Sequence, residues 1–177
     1  MFAGQWWRIL AAMFLHFGFF HLALNMWCLW QLGWLAEYLF GRATFLTLYL
    51  LSGLGGSVLS LVTHPAVVSA GASGAIFGVA GGVAAFMWLH RLNFHAPKLT
   101  GALPSVAAFI GYNLLYGITD PQIDNAGHLG GLIVGALLGF LVPRPGLEAG
   151  RFARLRFPLA AAAVTAAIVY GAARARH

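Results

Sequence analysis

From Arg42 to Arg91 the chain runs through 48 residues without a Lys, Arg, Asp or Glu, and this constrains the fold more than any short motif. A helix needs about 20 apolar residues to cross a bilayer core of about 30 Å. The run therefore holds two spans, expected at about 44–62 and 71–89, with Thr63-His64-Pro65 as the break between them. The other charge-free intervals hold one span each. Arg8 to Glu37 encloses a span at about 19–40, while 21 residues separate Lys98 from Asp120, 19 separate Asp124 from Arg144, and 17 separate Arg156 from Arg174. The expected fold is all-α, a polytopic membrane helix bundle of about six transmembrane spans.

Composition excludes the alternatives. The 177 residues are 60% hydrophobic and 8% charged, against roughly 25% charged in an average soluble domain, too few charges to cover a water-facing globule. The net charge of +6 comes from scattered positions, with no Lys/Arg cluster beside exposed aromatics, so no nucleic-acid partner is expected. A single cysteine, Cys28, rules out an intrachain disulfide and a multi-cysteine metal site.

The cations also orient the bundle, because Lys and Arg are enriched in cytoplasmic loops. Seven of them (Arg42, Arg91, Lys98, Arg144, Arg151, Arg154 and Arg156) fall on one side, and three (Arg8, Arg174 and Arg176) on the other. The N-terminal end of the first span is thus expected to face outward, with Trp6 and Trp7 at the interface just before it. No signal-peptide pattern opens the chain. The basic stretch 144–156 is expected against anionic inner-leaflet lipid.

Ionisable and amide side chains are costly inside a membrane and mark functional sites by default. His16, His21 and Asn25 fall near the outer end of the first span, Ser73 in the first turn of the third, and His128 in the first turn of the fifth. All three spans start on the outside, so these groups share one depth. Behind Ser73, Gly74, Gly78 and Gly82 recur every four residues, as do Gly127, Gly131, Gly135 and Gly139 around His128. Such stripes let two helices approach backbone to backbone, which would bring Ser73 level with His128. A Ser within reach of a His is the smallest activated-nucleophile unit. Gly71 would let the loop enter the third span tightly, leaving N–H groups at the helix N-terminus for a developing oxyanion. His21 and Asn25, one turn apart, could add donors.

Taken singly, each feature has an ordinary reading. Glycine stripes serve any tight bundle, and a lone Ser, His or Asn can be interhelical glue. His16 lies off the His21 face and reads as structural. His64, His90, His95 and His177 fall in loops or at the end, and Cys28, between Trp27 and Trp30, reads as packing. The conjunction of Ser73, His128, His21 and Asn25 carries the weight. A zinc protease would need a Glu beside a His of an HExxH pair, which His16 to His21 lacks. Asp120 and Asp124 share one polar loop and make no intramembrane aspartyl dyad. A haem-binding bundle would leave Ser73 and Asn25 without a role.

Together these elements resemble the rhomboid intramembrane serine proteases. The resemblance rests on Trp7-Arg8, on His16, His21 and Asn25, on Glu37 with Gly41, on Gly71-Ala72-Ser73-Gly74 with Phe77 and Gly78, and on Gly127-His128-Leu129-Gly130-Gly131 with Gly135. It covers residues 7–135 in the family's order.

The resemblance implies a serine endopeptidase that cuts peptide bonds in or near transmembrane segments. Ser73 would be the nucleophile and His128 the general base, with His21, Asn25 and the Ser73 N–H in the oxyanion hole. Phe77 would pack on the His128 ring, with His16, Gly71, Gly74 and Gly131 supporting the site. No metal and no cofactor are expected. The expected partners are transmembrane protein substrates and the lipid bilayer. The expected location is a multi-pass protein of the bacterial inner membrane, its site opening outward. The segment 117–125 would act as a lid, and the fourth span, interrupted by Pro104, as a lateral gate. The alternative is a non-catalytic rhomboid-like binder of membrane helices.

Two departures accompany the match. Gly127 stands where the family usually has Ala. The family's core also has a helix before the Trp-Arg loop, and Met1 stands only six residues ahead of Trp7; either the true start lies upstream or, as expected here, a shortened catalytic domain lacking that helix spans 1–143. A basic loop and an additional C-terminal span would occupy 144–177.

Overall fold

The computed structural model describes residues 5, 7–64, 69–91, 99–143 and 151–174, with the side chains of 151–154 and 174 outside the description. Trp6, Pro65, His95, Lys98, Arg144, Arg176 and His177 lie outside the described residues. The described residues form seven helices: α1 (Arg8–Ala11), α2 (Phe19–Phe40), α3 (Arg42–Thr63), α4 (Ser73–Leu89), α5 (Ala102–Thr119), α6 (Asn125–Leu141) and α7 (Arg151–Arg174). A single 3-10 turn, Ala12–Phe14, follows α1. The last six helices follow the five charge-free intervals, two of them in the longest, with α2 running past Glu37 and α7 starting ahead of Arg156.

Glycines at positive φ set the corners. Gly41, at φ +76°, ends α2 by donating its N–H to the Glu37 carbonyl at 2.9 Å and starts α3 by accepting from the Phe45 N–H at 3.0 Å. One residue thus reverses the chain, a conformation that a Cβ would oppose. The α3 helix stops at Thr63, with His64 at its end, where the break was expected. Pro104 does not interrupt the fourth span. It sits in the first turn of a continuous α5, where its missing N–H costs nothing. The proline that does lie inside a helix is Pro158 of α7.

By length and composition α3, α5 and Leu155–Ala173 of α7 can each cross a bilayer, and α2 joins them when counted with the segment Arg8–Phe14, bent 89° from it. The remaining two, α4 and α6, have 17 residues each. At 1.5 Å per residue they are about 26 Å long, short of a bilayer core of about 30 Å. They occupy the middle of the bundle, and most of α4 from Ala75 to Met87 is buried.

Their contact is backbone on backbone. A Cβ on Gly131, Gly135 or Gly139 would collide with the carbonyl oxygen of Gly74, Gly78 or Gly82 respectively. In return, a Cβ on Gly74 would lie 3.1 Å from the Gly127 oxygen, and one on Gly82 3.1 Å from that of Gly135. A third helix joins them, since a Cβ on Gly130 would sit 2.9 Å from the Gly55 oxygen and one on Gly56 2.5 Å from the Gly127 oxygen. The α3 glycines were not legible as a stripe, because Gly53, Gly55 and Gly56 lack the four-residue period.

The outer elements are held more lightly. Only Val106 and Gly117 of α5 are buried. Phe157, Ala160, Ala161, Val164 and Ile168 of α7 lie against the core. Arg156 donates to the terminal carbonyls of α6, Nε to Leu141 at 3.0 Å and Nη2 to Val142 at 3.2 Å, satisfying groups that a helix end leaves open.

Gly135→Ala should therefore lower the thermal unfolding midpoint in detergent by the equivalent of about 1–3 kcal/mol, the usual cost of overpacking. At Gly111, where a Cβ meets open space, the same change should leave the midpoint unchanged or raise it. Equal responses at the two positions would show that the α4–α6 contact does not hold the bundle together.

Candidate active site

Ser73 is the first residue of α4 and His128 lies in the first turn of α6, so the glycine contact that aligns the helices also aligns these two side chains. Ser73 Oγ and His128 Nε2 are hydrogen-bonded at 2.9 Å. Phe77, one turn beyond Ser73, stacks on the imidazole with ring centroids 4.2 Å apart and planes 11° apart. His128 is only 8% exposed, and its Nδ1 is buried with no hydrogen-bond partner among the described residues.

The start of α6 is built by Asp124. Its Oδ1 accepts from the Gly127 N–H at 2.8 Å and its carbonyl accepts from the His128 N–H at 3.0 Å, an aspartate N-cap. Ahead of Ser73, Gly71 has φ +130° and donates its N–H to the Ala12 carbonyl at 2.9 Å. This bond ties the loop before α4 to the turn after α1. Met13, 2% exposed, locks the same corner, since a Cβ on Gly53 would collide with its side chain.

His21 and Asn25 come from the first two turns of α2. Asn25, 6% exposed, donates from Nδ2 to the His21 carbonyl at 2.8 Å. His21 Nδ1 accepts from the Phe17 N–H at 3.4 Å, which assigns the ring proton to Nε2. That nitrogen lies 3.0 Å, and Ser73 Oγ 3.8 Å, from where a Gly71 Cβ would be. An N–H donor and the serine oxygen thus both lie beside the place a Gly71 Cβ would take. The His16 ring meets that of His21 edge-on at 5.1 Å, and its buried Nε2 has no partner among the described residues. Gly74 and Gly131 face each other in the helix contact.

A cavity of about 250 Å³ joins these groups, with Ser73, His128, His21 and Asn25 in its wall. Several lining residues were not singled out from sequence. Ser57 of α3 and Asn113 and Tyr116 of α5 contribute polar groups, and nothing in the sequence separates Ser57 from the other hydroxyl residues of α3, such as Ser52 and Ser60. Cys28, read as packing, lies against the core and also lines the cavity. Asp124, read as a loop residue, is the N-cap of α6 and part of the wall. The segment expected to form a lid over 117–125 is shorter, because α5 continues to Thr119 and α6 begins at Asn125. Gln122 and Ile123 of that connection reach the cavity. Asn125 Nδ2 pins its far end to the Leu114 carbonyl of α5 at 3.1 Å. Among the described residues no cluster of three or more His, Cys, Asp or Glu side chains is arranged to hold a metal ion.

Comparison with known proteins shows the family of the chain. A family model described as the Rhomboid domain matches residues 3–145. The chain is 39% identical over 151 residues to Rhomboid protease GluP of Bacillus subtilis, covering 85% of this chain and 28% of that protein. It is 40% identical over 150 residues to RHOMBOID-like protein 2 of Arabidopsis thaliana, covering 83% and 46%. It is 35% identical over 142 residues to Rhomboid-like protease 5 of Toxoplasma gondii, covering 80% and 17%. The chain thus spans less than half the length of each of these relatives. With the match over most of its residues and a helical bundle of membrane-crossing length, this chain is an integral membrane protein that belongs to the rhomboid family.

Proposed function

We propose that the chain is an intramembrane serine endopeptidase that works through a Ser73–His128 dyad. The observation that carries this reading is the 2.9 Å contact between Ser73 Oγ and His128 Nε2 at the wall of a cavity, within the reach expected of a nucleophile and its base. The two protease-named relatives support the same class of activity.

In this mechanism Ser73 Oγ attacks the carbonyl carbon of the scissile peptide while its proton passes to His128 Nε2. The tetrahedral oxyanion accepts hydrogen bonds from the Ser73 backbone N–H, His21 Nε2–H and the Asn25 amide. On collapse the C–N bond breaks, the leaving amine takes the proton from Nε2, and an acyl ester remains on Ser73. Water then attacks the ester, gives a proton to Nε2, and the proton returns to Oγ as the acid leaves. Phe77 fixes the plane of the imidazole by stacking on it. His16, Gly71, Gly74 and Gly131 hold the surrounding backbone and rings.

The substrates are transmembrane proteins, cut in or near a membrane segment that enters past α5, and residues 120–124 cover the site. The proposed location is a bacterial inner membrane, with the cavity opening outward; the distribution of cations supports the orientation alone. Residues 1–143 form the catalytic unit, and 144–177 add a further membrane helix whose first turns carry Arg151, Arg154 and Arg156.

A fluorophosphonate serine probe should label the purified chain in mild detergent, and Ser73→Ala and His128→Ala should each abolish labelling. A native chain that stays unlabelled while correctly folded would favour the non-catalytic binder. Against a transmembrane substrate, His21→Ala or Asn25→Ala should lower kcat about 100- to 1000-fold, the usual cost of one lost oxyanion donor. Full activity in either variant would remove that residue from the oxyanion hole. Phe77→Ala should slow labelling and also lower the unfolding midpoint, because it empties space beneath the base. An unchanged labelling rate would show that the ring does not orient His128.

A further inference from the structure

Asp124 uses one carboxylate oxygen and keeps the other. Its Oδ1 caps the Gly127 N–H at 2.8 Å, which meets the needs of a helix N-cap. Its Oδ2 is buried with no hydrogen-bond partner among the described residues. One turn along α6 the Nδ1 of His128 is in the same condition. Asp124, the N-cap of α6, stands four residues before His128, and both line the same cavity. Buried polar atoms without partners are rare enough that each calls for a cause, and here two fall on adjacent turns.

Their chemistries are complementary. With Nε2 accepting from Ser73 Oγ–H, the neutral imidazole carries its proton on Nδ1, a donor. The carboxylate is an acceptor. Among the described residues, Asp124 is the only acidic side chain in the cavity wall, and no Lys or Arg lines it. The other groups there that could interact with the ring by charge or proton exchange are His21 and Cys28 of α2 and Tyr116 of α5. A carboxylate in a cavity without a cation gains its partner when His128 takes the serine proton.

We infer that Asp124 is a positioning residue for His128, acting through one water molecule that accepts from Nδ1–H and donates to Oδ2. Such a bridge satisfies both orphaned atoms, holds the imidazole in the tautomer that leaves Nε2 free to take a proton, and stabilises the imidazolium that forms only as Ser73 attacks. The gain therefore falls on the transition state and not on ligand binding. The inference rests on the proposed Ser–His chemistry and extends it to a third group.

The test is Asp124→Asn, with Asp124→Ser beside it. Both side chains cap a helix about as well as aspartate, and both remove the charge. The readout is the inactivation rate constant kinact of the fluorophosphonate against its KI, together with the thermal midpoint. Expected is a fall in kinact of about tenfold, one 1.4 kcal/mol step in barrier, with KI within about twofold and the midpoint unchanged. An unchanged kinact in both variants overturns the inference. So does a kinact that falls only in step with the midpoint in both, since Asp124 would then be a cap alone. If the unsubstituted chain does not react with the probe, the protease reading itself fails and this inference falls with it. An active chain indifferent to Asp124→Asn removes only the inference.

Discussion

The register between α4 and α6 is the constraint on which the rest of the structure depends. In lipid no hydrophobic force draws two helices together, so association rests on van der Waals contact at close range. The glycines supply that range by removing every side chain between the two backbones. Gly74, Gly78 and Gly82 meet Gly131, Gly135 and Gly139 in sequence, and the three contacts together define one register. A slip of one four-residue step would shift one helix by about 6 Å along the other. Ser73 Oγ and His128 Nε2, now 2.9 Å apart, would then be out of reach, so the packing code and the chemical geometry are one feature.

Around this rigid pair the remaining elements hold single groups in place. The Gly71–Ala12 hydrogen bond and the buried Met13 fix the turn after α1 against the loop before α4. The start of α2 carries His21 and Asn25 into the same cavity. Glycine at position 71 is needed twice over, for its φ of +130° and because a Cβ there would press on the His21 ring at 2.9 Å. By contrast α5 buries only two residues, so the wall carrying Asn113 and Tyr116 is the least constrained side of the cavity.

Much of this was readable from the sequence because the bilayer simplifies the code. Charge-free intervals gave the helices, down to the bounds of α2 at Phe19 and Phe40, since a span has few ways to begin and end. The four-residue glycine period revealed the α4–α6 pairing, and positions within the first turn gave the common depth of Ser73 and His128. What stayed hidden depended on contacts between distant segments. The α3 glycines have no period of their own and are explained only by the α6 backbone facing them. Pro104 read as an interruption because α5 begins only two residues before it. Asp124 read as a loop residue because an N-cap is defined by the helix it starts, and its second oxygen becomes notable only when the cavity is seen.

The polar groups also account for the shape of the bundle. Unpaired donors and acceptors are expensive in hydrocarbon, so a membrane protein must gather them where water can reach. The two helices bearing Ser73 and His128 are too short to fill the bilayer core, and their N-terminal turns open on the cavity. At the opposite end of α6, the Leu141 and Val142 carbonyls are taken up by Arg156. The α6 helix thus opens on a polar cavity at one end and is capped by a cation at the other. This asymmetry lets one pair of 17-residue helices serve both as the packed core and as the floor of a polar chamber.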